Sequence, residues 1–417
     1  MSQTDSVAFW MPWKVNVPIV QVTKECYRKS PREAAAALTS RWYVGPGLEM
    51  MEFLGIEARD DVWSEVGLRW SADNGRSWTP LTPRPDTVRK VHGTEVWEGY
   101  LAQEYDPHSG LLVAAWLRQI QVGNIWAGGQ CNCFSYIRYS RDGGRNWSEP
   151  QQLTYEPGAP FEETAPLKQE FLLHNQSYPG SGILRHSNGT LIHCACLANS
   201  PGDAQNDTRT WKLGTLCFIG KWDAKVQRYS WTAGNRIAVS PEITSRGLLE
   251  PDLAELKDGR VLVVWRGSNT ATTPGRKWFS LSTDGGKTLG PIQEWRYDDG
   301  ASFYSPSSIH RFFRHSNGTL YWLGNICPQP PVGNGPRFPL VIAKVDEATG
   351  ALKRDTVTAI DDHLEEEGLD LQYSNFSLYE NRETHHLELF MTNYGHQPGQ
   401  QHWLNADSYH YVLTFVR

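Results

Sequence analysis

The sequence predicts an all-β chain folded as a six-bladed β-propeller with four-stranded antiparallel blades, and three observations carry that reading. The heptapeptide Arg-His-Ser-Asn-Gly-Thr-Leu occurs twice unchanged, at 185–191 and 314–320. Related turns between apolar runs stand at 107–113 and 257–263, with a longer version at 381–389. A second motif, Ser-x-Asp-x-Gly-x-x-Trp, is intact at 71–78 and 140–147 and lacks only its Trp at 282–289. Asn-Gly and Asp-Gly tolerate positive φ and favour tight hairpins. Each turn therefore joins an inner strand to a second strand.

Taking Gly110, Gly189, Gly259, Gly318 and Thr384 as markers, the intervals are 79, 70, 59 and 66 residues. Such spacing suits four strands with outer loops of varying length. Five blades follow from the markers. Residues 1–90 hold one more hairpin with the second motif, making six, and a leading segment expected to pair with the last strand at 409–415. A seventh blade would need further strands within 1–90. The run Ala34–Ala37 makes 30–40 an expected short helix or loop over one face. Nothing of low complexity divides the chain, so 1–417 is expected to be one domain.

Composition supports the class and excludes others. The chain has 18 Trp, 37 Gly and 25 Pro, suiting many short strands and tight turns. The net charge of -6 offers no basic footprint for nucleic acid. No apolar run is long enough to cross a bilayer as a helix. Residues 1–13 show no basic region followed by an apolar one, and the seven cysteines are odd in number and thinly spread. A cytoplasmic location with reduced thiols is the expectation, in which the six Asn-x-Ser/Thr sites, Asn206 among them, carry little meaning.

In the second motif the Asp can accept turn amides, the Gly takes an unusual backbone angle and the Trp packs between sheets. These turns resemble the Asp boxes of the sialidase (neuraminidase) superfamily, which lie away from the active site. The resemblance extends over about 95–415. The stretch Ser-Tyr-Pro-Gly-Ser-Gly-Ile at 177–183 resembles a sialidase inner strand, and Glu250 and Arg266 fill the places where the family has a pocket Glu and Arg. Arg337 matches a carboxylate-binding Arg ahead of a degenerate box at 346–350. Tyr373-Ser-Asn-Phe376 resembles the sequence holding the family's nucleophilic Tyr. The Arg-Ile-Pro strand and catalytic Asp of sialidases are missing, with Arg41 and Asp60 or Asp61 the nearest substitutes by position.

The resemblance implies an exo-acting glycoside hydrolase removing a terminal, anionic sugar from a glycan. Tyr373 would be the nucleophile with Glu250 taking its proton, since a neutral phenol approaches a carboxylate-bearing anomeric centre without charge repulsion. Arg266 and Arg337 would hold that carboxylate. Inner strands of a propeller converge, so Tyr304, His310, Asp252, Asn325, Tyr178, Gln176 and Glu98 are further candidates for the same mouth. No cofactor and no metal are expected; Cys131 with Cys133 and Cys194 with Cys196 have the spacing of two ligands, which alternating buried cysteines explain as well. Two other readings fit the same residues. One is a uronate polysaccharide lyase using His310 or His193, and the other is a glycan-binding propeller without catalysis.

Overall fold

The computed structural model describes residues 3–59, 62–84, 88–123, 130–197 and 214–416, so Asp60, Asp61 and Asn206 lie outside it. The fold is a six-bladed β-propeller of small antiparallel sheets. Its contacts form two compact units: Asp86–Thr273 with Lys277–Glu294, and Met1–Pro85 with Pro274–Arg276 and Trp295–Arg417.

The first of these units holds blades 2, 3 and 4. Blade 2 is built on Thr94–Asp106, Leu111–Val122 and Gln130–Ser140, flanked by the short strands Val88–Val91 and Gln151–Gln152. Blade 3 is built on Ser177–Pro179, Thr190–Leu197 and Gly214–Asp223, and blade 4 on Leu249–Glu255, Val261–Arg266, Lys277–Ser282 and Gln293–Glu294. Alternate residues of neighbouring blades interdigitate. Leu111, Val113 and Ala115 of blade 2 pack with Leu191, Ala195 and Leu197 of blade 3, while Ile192 and Cys194 pack with Val261, Val263 and Trp265 of blade 4. The period-2 alternation of a strand buried on both faces produces this sandwich.

The other unit holds blades 1, 5 and 6. Blade 1 begins with Ala36–Tyr43, pairing with Met50–Arg59, then Val62–Ser71 and Thr82–Pro83. Blade 5 is Arg311–Arg314, Leu320–Asn325, Leu340–Lys344 and Thr358–Asp361. Blade 6 takes Ser377–Glu380, Leu387–Thr392 and Ser408–Phe415 from the end of the chain and its outermost strand, Val20–Arg28, from the beginning. The leading segment thus pairs with the last strand as the sequence predicts.

The alanine run departs from expectation. It enters an inner strand, Ala36 pairing with Glu57 and Tyr43 with Met50, and Ala35, Ala36 and Ala37 are fully buried. Alanine's helix preference is a few tenths of a kcal/mol per residue, and a complete ladder outweighs it.

The repeated heptapeptide is a latch between blades. Ser187 donates its amide to Glu255 of the next blade at 2.8 Å, and His186 Nε2 meets the Gly259 carbonyl at 2.9 Å. In blade 5, Ser316 donates its amide to Glu380 at 2.8 Å and His315 Nε2 meets the His385 carbonyl at 2.8 Å. Both turns place their glycine, Gly189 or Gly318, at positive φ. The Ser-x-Asp-x-Gly turns close between third and fourth strands. Ser71 donates to Asp73 and accepts the Gly75 amide, and Asp73 accepts the Ser77 amide. The same three bonds recur around Ser140 and Ser282.

Candidate functional site

In a blade the first strand runs toward the hairpin and the second runs back, so the start of one and the end of the other share a head opposite the turn. In blade 4 that head carries Glu250 and Arg266, whose Oε2 and Nη1 are 2.8 Å apart as an ion pair without hydrogen-bond alignment. Glu250 has φ +38°, and the ladder is irregular between Leu249 and Asp252. A β-bulge that puts a glutamate in the left-handed region re-aims its side chain at a cost of about 1–3 kcal/mol. Both side chains are mostly buried yet keep 15% and 11% of their surface exposed.

The glycines of 177–183 explain how blade 3 approaches this strand. A Cβ on Gly180 would lie 2.4 Å from the Pro251 carbonyl oxygen, and one on Gly182 would lie 2.1 Å from Asp252 Oδ1. Ser181 donates its amide to the Pro251 carbonyl at 2.8 Å. Only glycine permits this contact. Asp252 is consequently buried, its carboxylate against the Gly182 backbone. Behind it His193 is fully buried, and burial lowers its pKa to about 4, partly opposed by the bond to the Gly182 carbonyl. The ring is neutral at pH 7 and donates from Nδ1 to that carbonyl at 2.8 Å.

The head of blade 2 carries a second carboxylate–guanidinium pair. Glu98 and Arg118 face each other across the ladder, with Arg118 Nε 2.5 Å from Glu98 Oε1. Arg118 also donates to the Tyr136 hydroxyl at 3.2 Å and lies over the Phe161 ring at 4.1 Å. Burial pushes the Tyr136 phenol up to about 12, with Arg118 acting in the other direction. Arg118 carries no sequence motif. Its position relative to Glu98 follows from a twenty-residue register, which a hairpin count alone leaves open.

Arg41, Arg337, Tyr304, His310 and Tyr373 belong to the other unit. Arg41 has its Nε 2.7 Å from Glu52 and its Nη2 2.7 Å from the Tyr27 hydroxyl. Arg337 donates to the Asn334 carbonyl at 3.0 Å and to Gln372 at 2.9 Å. Its own carbonyl and that of Tyr373 are gathered by the buried Asn325 amide. Tyr304 stacks on Trp10, ring centroids 4.2 Å apart, with Arg276 at 5.3 Å from its ring. His310 is fully buried beside Phe312 and Trp322.

Tyr373 lies in the core. Its residue is 2% exposed in the apolar cluster shared by blades 5 and 6, with Leu323, Leu340, Leu389 and Tyr411. Burial, then the charges of Asp361, Glu367 and Asp362, push its phenol far above the ordinary tyrosine range. A nucleophilic phenolate needs the reverse environment.

Among the described residues no group of three or more His, Cys, Asp or Glu side chains is arranged to hold a metal. Cys131 and Cys133 bring their sulfurs to 3.8 Å, and Cys194 pairs across the ladder with Cys217.

No family model matches the sequence, and no curated protein is similar to it in sequence. Solved structures are similar in fold. A protein of unknown function from Dyadobacter fermentans aligns over 96% of this chain and all of its own, with TM-score 0.60 and 15% identity. The NanB sialidase from Streptococcus pneumoniae aligns over 96% of this chain and 71% of its own, with TM-score 0.56 and 11% identity. The Hadza microbial sialidase Hz136 aligns over 94% and 68%, with TM-score 0.55 and 12% identity. The likeness is one of fold.

Proposed function

We propose that the protein is an exo-acting glycoside hydrolase that removes a terminal, carboxylate-bearing sugar at the head of blade 4. The observation that carries the reading is the Glu250–Arg266 pair: a mostly buried ion pair retaining some exposure, with its glutamate held in a strained backbone conformation. Strain of this kind persists where the surroundings over-determine a side-chain direction. In the proposed reaction Arg266 donates to the sugar carboxylate and Glu250 acts at the anomeric centre or on the attacking water. The likeness to the two sialidases in fold supports the class. Tyr373 has no chemical role in this reading. The lyase reading needs an accessible base, and both His193 and His310 are fully buried.

The test is turnover of aryl glycosides of sialic acids, uronic acids and neutral sugars. An anionic glycoside is expected to react, Glu250→Gln to lower kcat by at least about 100-fold, and Tyr373→Phe to stay within about threefold of wild type. Full activity in Glu250→Gln would sink the mechanism. Binding without turnover would point to a lectin-like propeller, and an ultraviolet-absorbing unsaturated product to elimination.

A further inference from the structure

Ahead of its first strand, Val20–Arg28, the chain lies against blade 5 as a lightly held segment. Asn16 anchors it: Nδ2 donates to the Arg354 carbonyl at 2.8 Å and to the Val357 carbonyl at 3.0 Å. Before that anchor come the helix Gln3–Trp10 and the turn Pro12–Lys14, and of residues 6–15 Pro12 alone is buried. An eight-residue helix is marginal by itself. The contacts that dock this one include a bond from Arg354 Nε to the Ala8 carbonyl at 3.1 Å and the Arg354 guanidinium 5.4 Å from the Phe9 ring centre. At its end Trp10 lies flat on Tyr304, ring centroids 4.2 Å apart and planes 2° apart.

Two features make the docking imperfect. A cavity of about 290 Å³ separates the segment from the propeller, lined by Ala8, Pro12 and Val15 on one side and Asp298, Arg354 and Asp355 on the other. Close-packed elements leave few such voids. The buried Nε1 of Trp13 finds no hydrogen-bond partner among the described residues, and release into water would supply one.

The surface under Trp10 belongs to the head of blade 5. Tyr304 accepts the amide of Cys327, two residues past the strand Leu320–Asn325, at 2.9 Å. Both stacked residues are partly exposed, so solvent reaches the edge of the stack. A phenol ring that takes an indole flat on its face offers the same face to the C–H side of a pyranose.

We propose that residues 3–15 form a strap that opens, and that the Tyr304 face it uncovers binds the apolar side of a pyranose. Trp10 and the sugar compete for one ring, which makes the strap an internal inhibitor of that binding. Sugar binding at Tyr304 is independent of the hydrolysis proposed at blade 4.

Saturation-transfer NMR titrations with the methyl glycosides of galactose, glucose and glucuronic acid provide the test. The proteins are wild type, Trp10→Ala, Arg354→Gln and the double variant Trp10→Ala with Tyr304→Ala. At least one glycoside is expected to bind with a Kd about 3- to 10-fold lower in Trp10→Ala than in wild type, since a closed strap reduces apparent affinity by the closed fraction. Arg354→Gln keeps both rings and weakens the hold on Ala8, so a smaller decrease is expected there. Adding Tyr304→Ala to Trp10→Ala is expected to raise Kd at least about 10-fold. Should Trp10→Ala fail to fold, the comparison rests on Arg354→Gln, and a Kd unchanged from wild type in that variant overturns the strap. Binding of none of the three glycosides, weaker binding in Trp10→Ala than in wild type, or one Kd shared by all four proteins also overturns the proposal.

Discussion

Two glutamates of this protein carry arginine partners, and their surroundings make them opposites. Glu52 in blade 1 is fully buried. It receives the Tyr27 hydroxyl at 2.7 Å, Arg41 Nε at 2.7 Å and Arg69 Nε at 2.5 Å, and both arginines also donate to the Tyr27 oxygen. Its ladder with Ala36–Tyr43 is regular, and aromatic rings of Tyr27, Trp78 and Phe390 cover Arg41. Glu250 in blade 4 has one arginine, a bulged strand, a positive φ and an exposed edge. The first arrangement gathers three donors from three strands on one buried carboxylate and holds those strands together. The second keeps the backbone strained and an edge exposed. Residue type alone does not separate the two pairs; enclosure and backbone conformation do.

The comparison is broken most directly by removing one partner from each. Arg41→Met leaves Glu52 buried with its charge undercompensated, and urea unfolding is expected to show a loss of about 3–5 kcal/mol. Glu250→Gln, at a strained and partly open site, is expected to change stability by less than about 1 kcal/mol. Similar losses in the two variants would show that Glu250 is structural too.

A second closed carboxylate sharpens the contrast through pH. Glu388 accepts bonds from Tyr379 at 2.6 Å, Asn381 at 2.6 Å and His410 at 2.9 Å. Burial alone would raise its pKa, but the bonds from His410, Tyr379 and Asn381 outweigh it and bring the carboxyl to about 2, from an ordinary 4.5. A folded pKa below the unfolded one contributes stability that is present above pH 4.5 and lost as pH falls toward 2. Melting temperature measured across that window is expected to fall less steeply in Glu388→Gln than in wild type. Superimposable acid limbs would remove Glu388 from the class of closed carboxylates.

The smallest effect belongs to a pair left in solvent. Arg185 and Glu104 are 2.7 Å apart with 46% and 35% of their side chains exposed. Arg185→Ala is expected to cost no more than about 0.5 kcal/mol, vanishing in high salt. A loss approaching that of Arg41→Met would mean that enclosure is not what separates these pairs.

Much of the scaffold was legible because turns are local. Gly189, Gly259 and Gly318 announce positive φ through Asn-Gly or Asp-Gly, and the six blades follow from their spacing. The pairing of 409–415 with the leading segment was legible as the completion of a blade. The Ala34–Ala37 run was not, because its strand is imposed by the Met50–Arg59 partner. Of the candidate site, Glu250 and Arg266 came into view only through the resemblance of their hairpin to a sialidase strand pair. The burial of Tyr373 was not legible because it depends on where blades 5 and 6 meet, nor was the pairing of Arg118, which comes only from facing Glu98.

The sequence by itself determined the hairpins, the turn chemistry and the number of blades, since each depends on the backbone preferences of a few adjacent residues. The tertiary structure decided which polar residues were spent. Ladder register and blade-to-blade packing sealed Arg41 with Glu52 and Tyr373 in the core, while the bulge at Glu250 and the glycine contact at 180–182 kept another carboxylate at an open edge. Burial and saturation are properties of neighbours distant along the chain, so no local pattern could state them.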